Sequence, residues 1–165
     1  MDGLVLGIDP GTATTGYALV LETAGGLHLE DCGVITTSAD CPLPKRLQQI
    51  YRELLGLARR CQPAAAAVEE LFFSRNARTA LAVGQARGVV LLAMAEAGLP
   101  VYEYTPLQVK QAIAGYGRAT KGQMQQMVRM LLSLEVIPQP DDAADAAAVA
   151  ICHIHSARMK TLVEG

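Results

Sequence analysis

The stretch LVLGIDPG, residues 4–11, decides the fold because a nearly continuous apolar run ends in an acidic residue and a turn. A strand that is apolar on both faces belongs in the middle of a sheet that is covered on both sides. The stretch AAAAVEE, residues 64–70, has the same form and reaches Glu69 where its apolar run ends. We therefore predict two central strands, one ending at Asp9 and the other at Glu69.

The segments around these two strands complete an α/β pattern. Two further strands, over 16–21 and 27–36, are joined by a hairpin at Gly25-Gly26, and a short one follows over 101–104. Helices are predicted from amphipathic spacing, caps and breakers over 44–60, 76–97, from 105, over 120–132, and from 141 or 142 to about 159. This order predicts a five-stranded mixed sheet flanked by helices on both faces.

Length and composition bound the class of protein. A chain of 165 residues fits a single domain, here expected to span 1–165. The net charge of −2 does not indicate a nucleic-acid binder, although a basic patch on an acidic body can bind phosphates. The four cysteines form no CxxC pair, so we expect free thiols. The strongest apolar run, 89–95, is far shorter than the ~20 residues of a membrane span, and no signal peptide is visible. We expect a cytoplasmic protein with no membrane partner.

Carboxylates at three places in the chain are the candidate site. Asp142 and Asp145 lie three residues apart and therefore share one face in the first turn of the last helix. Taken singly, Asp142 could be a helix cap and Asp9 a turn former, whereas Glu69 is hard to bury without a partner. Gathered together, the four acids would repel one another unless cations bind them. Oxygen ligands suit Mg²⁺ or Mn²⁺, and paired ions of this kind cut phosphodiester bonds.

Five segments together resemble one family. They are GIDPG at 7–11, VEELFF at 68–73, GQARG at 84–88, QVKQ at 108–111 and DAADA at 142–146. In order and spacing they resemble the RuvC family of Holliday-junction resolvases, which have a ribonuclease-H-like fold. The resemblance implies a homodimeric endonuclease of recombination and DNA repair, with Mg²⁺ (or Mn²⁺) as cofactor and two ions per subunit. It also implies symmetric nicks in two opposed strands of a four-way DNA junction, leaving a 5′ phosphate and a 3′ hydroxyl, and contacts with a branch-migration motor.

The resemblance assigns the catalytic and metal-binding roles to Asp9, Glu69, Asp142 and Asp145. Some family members have His at the position of Asp142. Glu70 stands where other members have Gln. Because neighbouring side chains of a strand point to opposite faces, only one of Glu69 and Glu70 can reach the metals. The resemblance selects Glu69 and leaves Glu70 beside the site or on the surface.

The resemblance also implies a set of DNA contacts. Lys110 and Lys121 map onto lysines near the scissile phosphate, whereas without it they would be ordinary surface lysines. Phe72 would stack on an unpaired base of the opened junction, with Phe73 left to packing. Arg75 and Arg78 would contact phosphates.

Small residues recur every four positions in the predicted helix 76–97, at Ala80, Gly84 and Gly88. Glycine inside a helix costs about 1 kcal/mol relative to alanine, so two of them need a reason. The helix either packs closely on its own sheet or meets a second copy around a two-fold axis. A junction with two strands to cut favours the second copy. The direction of Arg87 in this helix stays open.

Three other functions compete with this interpretation. Residues 9–16, DPGTATTG, resemble the first phosphate loop of sugar kinases and actin-like ATPases, but those proteins need two such domains. A junction-binding protein that does not cleave is the second alternative, although all four acids are present. The third is a related ribonuclease-H-like nuclease that acts on another branched or hybrid substrate.

Overall fold

The sheet has the two predicted strands at its centre. The computed structural model describes residues 3–70 and 76–165. Within them the strand order is β3-β2-β1-β4-β5, with β1 antiparallel to β2 and parallel to β4, and β4 parallel to β5. The strands are β1 Leu4–Asp9, β2 Thr14–Thr23, β3 Gly26–Thr36, β4 Ala65–Glu69 and β5 Val101–Tyr104. The predicted mixed sheet and its order along the chain are confirmed.

Helices cover both faces of the sheet, as predicted. Helices α1 and α2 pack on one face, and α5 lies on the other with α3 and α4 beside it. The helices are α1 Leu43–Cys61, α2 Ala77–Glu96, α3 Pro106–Ala114, α4 Lys121–Leu131 and α5 Asp141–Glu164. The last helix was predicted too short, since α5 continues past Met159 with its final turns exposed.

Side-chain alternation along β1 and β4 sorts these strands into two cores. Leu6 and Val68 lie in the core under α1 and α2, whereas Val5 and Ala67 lie in the core under α5. Asp9 continues the series of Val5, and Glu69 continues the series of Ala67. Both carboxylates therefore belong to the α5 face of the sheet.

Two capping boxes fix the starts of α3 and α4. The Thr105 hydroxyl accepts from the Gln108 amide at 3.2 Å while the Gln108 side chain accepts from the Thr105 amide at 2.9 Å. Thr120 and Gln123 repeat the arrangement at α4 with the same two distances. Each box satisfies two backbone donors that a helix start leaves unpaired. The helix starts that carry the two candidate lysines are thus defined by local sequence.

Helix α2 departs from the expectation that no segment has the length of a membrane span. Among the described residues it is the one helix long and apolar enough, by length and composition alone, to cross a bilayer. Its residues Val90, Ala93 and Met94 are fully buried in the core that α1 shares. A helix packed in this way is part of the folded domain, so its length and apolar composition do not make it a membrane span.

Backbone packs directly on backbone where α5 crosses β1 and β2. A Cβ atom at Gly7 would overlap the carbonyl oxygen of Ala146, and one at Gly16 would overlap the carbonyl oxygen of Asp142. Gly16 lies opposite Asp9 in the antiparallel register. The two glycines therefore let the first turns of α5 sit directly over the end of β1.

We expect Gly7→Ala to destabilise the protein, because the new methyl group meets backbone that cannot rotate away. The free energy of unfolding should fall by about 1–3 kcal/mol, the usual cost of overpacking. Gly122→Ala is the matched control, since a Cβ there meets nothing within 4 Å. Because Gly122 lies in a helix, its replacement by alanine should raise the free energy of unfolding by roughly 0.5–1 kcal/mol. Urea unfolding measures both, and equal stability of Gly7→Ala and the parent would contradict the packing described.

Candidate active site

The structure brings the predicted acids together. One carboxylate oxygen each from Asp9, Asp142 and Asp145 lie within 4.8 Å of one another, and all three residues are half-buried. Glu69 lies next to these three residues. Its carboxylate accepts a hydrogen bond from Asp9, and the charge of Asp145 raises its pKa. Groups separated by much of the chain therefore converge at one edge of the sheet.

Strand pairing and helix placement explain the convergence. The parallel register pairs Ile8 with Val68, so the residues that follow, Asp9 and Glu69, end adjacent strands side by side. Asp142 belongs to the first turn of α5, whose cap position is Pro140 and has no side-chain cap bond. The alternative that Asp142 caps the helix is thus wrong.

Crowding of like charges dominates the electrostatics of this cluster. Burial, and then the charges of Glu69, Asp145 and Asp142, raise the pKa of Asp9 to about 9. Burial and the charge of Asp145 raise the pKa of Glu69 to about 6, partly offset by the hydrogen bond from Asp9 and the charge of Lys110. Burial also raises the pKa of Asp145, against the opposing charge of Lys121. The acids cannot all ionise cheaply without a compensating cation.

This donor set fits a hard divalent cation. It offers only carboxylate oxygens, close enough together for several to reach one ion, and the charges on them repel until a cation is bound. Mg²⁺ and Mn²⁺ prefer such ligands.

Two lysines border the cluster. Lys110 and Lys121 line a cavity of about 190 Å³ together with Glu69 and Asp145. The surroundings of the cluster are therefore not purely acidic, because Lys110 lies close enough to Glu69 to lower the pKa of Glu69. The cavity is of mixed charge and opens beside the carboxylates.

Asp141 is a residue whose role the sequence did not reveal. Its carboxylate forms an ion pair with Lys121 at 3.0 Å and accepts from Gln125 Nε2 at 3.1 Å. The hydrogen bond and charge of Lys121 lower the pKa of Asp141. The pair links the start of α5 to the start of α4. Only its place beside Asp142 could have drawn attention to it, and its partner is 20 residues away in sequence.

Of the remaining predicted DNA-binding residues, the structure describes only Arg78. Phe72, Phe73 and Arg75 fall outside the described residues. Arg78 is exposed in the first turn of α2, where its backbone amide donates to Asn76 Oδ1 at 3.0 Å. Glu70 continues the pairing with β5 through its backbone amide, which donates to the Tyr104 carbonyl at 2.7 Å.

The small residues of α2 differ in their surroundings. Ala80 and Gly84 are half-buried, whereas Gly88 is exposed and a Cβ there would meet nothing within 4 Å. Packing on the protein's own sheet therefore does not explain Gly88. Arg87 forms an ion pair with Glu103 of β5, which settles its direction as along the protein's own sheet.

The fold and the site together define a class. A β3-β2-β1-β4-β5 mixed sheet with helices on both faces, and a carboxylate cluster at the ends of its two central strands, is a ribonuclease-H-like nuclease arrangement. The family model described as crossover junction endodeoxyribonuclease RuvC matches residues 5–153. The chain belongs to the RuvC family of crossover junction endodeoxyribonucleases.

Relatives and solved structures agree with this placement. The chain is 62% identical over 159 residues to the RuvC of Roseiflexus sp. (strain RS-1), covering 96% of this chain and 95% of that protein. Thermus thermophilus RuvC has a similar structure, with a TM-score of 0.89 at 43% identity over 96% of this chain and 97% of that one. Thermus thermophilus RuvC in complex with Holliday junction substrate gives a TM-score of 0.90 at 44% identity, covering 96% of each chain.

The raised pKa of Asp9 predicts a pH-dependent stability. The pKa is about 9 in the folded protein and about 3.9 in an unfolded chain. The stability associated with the protonated carboxyl is complete below the lower value and is lost as the pH rises towards 9. Asp9→Asn should therefore melt above the parent at pH 8 in a chelator, by at least about 3 °C, and by less at pH 5. Thermal melts at both pH values measure this difference.

A cation supplies the second part of this test. Mg²⁺ should raise the melting temperature of the parent more than that of Asp9→Asn, in which one ligand has been removed. Asp40→Asn, an exposed turn carboxylate, is the matched control and should behave as the parent. A destabilised Asp9→Asn at pH 8 would contradict the proposed crowding of charges.

Proposed function

We propose that this protein resolves Holliday junctions by symmetric nicks in two opposed strands of a four-way DNA junction, in recombination and DNA repair. The observation that carries the proposal is the convergence of Asp9, Asp142 and Asp145 on a fold closely similar to a RuvC bound to its junction. A metal-dependent nuclease needs such a cluster, and the chain has it at the edge of the sheet where ligands bind in open α/β folds.

The proposed cofactor is Mg²⁺, with Mn²⁺ also suited, and two ions per subunit. Asp9, Glu69, Asp142 and Asp145 would hold them, with Asp9 between the others. When bound, the ions supply the Lewis acidity that phosphodiester hydrolysis needs. Of the four acids, Asp9 is the one whose pKa responds to all three of the others, which supports a central position.

The chain's own residues have three tasks in this mechanism. The carboxylates would hold the cations at the ends of β1 and β4, and in this way would set where the reacting phosphate binds. Lys110 and Lys121 bind the phosphate backbone in the adjoining cavity and stabilise the charge that develops there. Val109, Met124 and Val128 belong to the apolar part of the cavity wall, which strengthens these electrostatic interactions by excluding water. The products are a 5′ phosphate and a 3′ hydroxyl.

Homodimerisation through α2 completes the proposal. Leu81 and Leu92 are 64% and 58% exposed and lie on the same side of the helix as the open Gly88. We call Leu81, Gly84, Gly88 and Leu92 the α2 strip. A second copy would cover this apolar strip and approach closely at the glycines, and the two-fold axis would give one active site for each of two opposed strands.

The rest of the proposal follows the family resemblance. The nuclease is a single domain over 1–165 that works in the cytoplasm and contacts a branch-migration motor. Phe72 stacks on a base, and Arg75 and Arg78 contact phosphates. The phosphotransferase alternative is not favoured, because the family model that matches 5–153 is that of a junction endonuclease.

The central experiment is cleavage of a synthetic mobile four-way junction with Mg²⁺ or Mn²⁺, beside a linear duplex. Asp9→Asn should reduce the cleavage rate at least about 100-fold while junction binding changes less than about threefold. It removes a metal ligand and leaves the basic surface intact. Glu69→Gln should behave in the same way.

Glu70→Gln is the matched control for this experiment. It changes a neighbouring carboxylate that side-chain alternation directs away from Glu69, so it should cleave as the parent does. Cleavage by Asp9→Asn at the wild-type rate would contradict the role of Asp9 as a metal ligand. Loss of cleavage in Glu70→Gln but not in Glu69→Gln would reverse the assignment of the two glutamates.

The α2 strip predicts the oligomeric state. Leu92→Glu places a charge in the proposed interface and should weaken dimerisation at least about tenfold, as one buried unpaired charge does. Sedimentation equilibrium measures the dissociation constant of the dimer. The ratio of paired to single nicks on a cruciform should fall as the dimer weakens. Leu162→Glu, at a similarly exposed leucine near the end of α5, should remain dimeric. Equal association of the two variants would rule out the α2 strip as the interface.

A further inference from the structure

A second groove lies on the other side of the loop that follows Asp9. It has a volume of about 620 Å³ and runs between this loop, the start of α1 and the first turns of α2. We call it the Thr12 groove, and its walls include Thr12, Ala13, Arg46, Arg78, Leu81 and Gln85. Thr12 is three residues beyond Asp9, so the two are at most about 11 Å apart along extended chain. The groove therefore begins close to the carboxylate cluster.

Among the described residues, the charged side chains that line the Thr12 groove are all basic. Arg46 and Arg78 line it, and no carboxylate does among the described residues. Neither arginine forms an ion pair with a carboxylate anywhere in residues 3–70 and 76–165. Another arginine of α1, Arg52, differs in this respect, because the carboxylate of Glu53 lines the same two surface depressions. Two arginines without acidic partners in one groove indicate an anionic ligand.

Arg46 is held in place by a relay of hydrogen bonds. Its Nε donates to Thr37 Oγ1 at 2.8 Å, and Thr37 Oγ1 donates to the Thr12 carbonyl at 2.5 Å. Thr12 Oγ1 in turn donates to the Ala82 carbonyl of α2 at 3.0 Å. This relay ties the arginine to both walls of the groove. The terminal nitrogens of Arg46 have no acceptor among the described residues, so they remain available to a ligand.

We propose that the Thr12 groove binds the sugar-phosphate backbone of the junction strand within a few nucleotides of the cut, with Arg46 and Arg78 each on a phosphate. The inference rests on the proposed function. Arginines suit phosphate oxygens, and the apolar wall that includes Leu43 and Ala82 suits the sugars between them. Because the loop that follows Asp9 lines the groove, a DNA strand bound at Asp9 can continue directly into it, which favours DNA over an acidic peptide.

The test is the salt dependence of junction binding in Asp9→Asn protein, which does not cut. Removing one phosphate contact lowers the slope of log K against log salt by about 0.9, equivalent to about eightfold weaker binding at 0.1 M salt. Arg46→Gln and Arg78→Gln should each show this change, and the double variant should show about twice the change in slope. Arg52→Gln, an exposed arginine of α1 outside the groove, is the matched control and should keep the parent slope.

A position-specific readout separates contact from structure. Single methylphosphonates placed along the strand near the cut should weaken binding of the parent at two positions. At one of them Arg46→Gln should be insensitive to the substitution, and at the other Arg78→Gln should be. A merely structural role of Arg46 would leave every position as sensitive as before.

The outcomes distinguish the groove from the function. If the parent shows no preference for a junction over a linear duplex, the proposed function fails. If it prefers the junction but Arg46→Gln and Arg78→Gln keep the slope of Arg52→Gln, only the groove is overturned, and an acidic peptide becomes the better occupant. Thermal melts check that Arg46→Gln folds. Should it not fold, Arg78→Gln decides, since its side chain supports no described contact.

Discussion

The contact between the backbone of α5 and the backbones of β1 and β2 is the constraint on which the site depends. Gly7 and Gly16 carry no side chain where the carbonyls of Ala146 and Asp142 lie against the sheet. A helix normally packs on a layer of side chains, which keeps its backbone several ångströms farther from the sheet. Here the N-terminal end of α5 lies directly against the sheet, so that Asp142 and Asp145 come close to Asp9. The absence of side chains at Gly7 and Gly16 thus allows α5 to bring Asp142 and Asp145 close to Asp9.

The cluster created in this way opposes the stability of the fold. Burial and mutual repulsion raise the pKa of Asp9 to about 9 and that of Glu69 to about 6. A protein selected only for stability would replace one of these acids, since a crowded, half-buried charge is costly without a partner. The arrangement makes sense if cations are part of the working molecule. Unfavourable electrostatics in the apoprotein become binding free energy for the metal.

The overall charge of −2 conceals how the surface is divided. Acids that would bind cations lie at the end of β1, and Lys110 and Lys121 border them in a cavity. On the other side of the same loop Arg46 and Arg78 face a groove that no described acid lines. A phosphate backbone can therefore find basic groups on both sides of a site that is itself acidic. Average composition does not reveal such a division, because opposite charges cancel in the sum.

Local pattern determined the elements and the identity of the central acids. Apolar runs predicted β1 and β4, Thr105 and Thr120 marked helix starts, and spacing placed Asp142 and Asp145 on one face; each of these depends on neighbours within a few residues. Only the tertiary structure decided that Asp142 is not a cap, that Asp141 holds Lys121, that Thr37 positions Arg46, and that Gly88 is open. These relations join residues distant in the chain, and they depend on how far each helix sinks towards the sheet. That depth is set by packing between elements, which no local periodicity encodes.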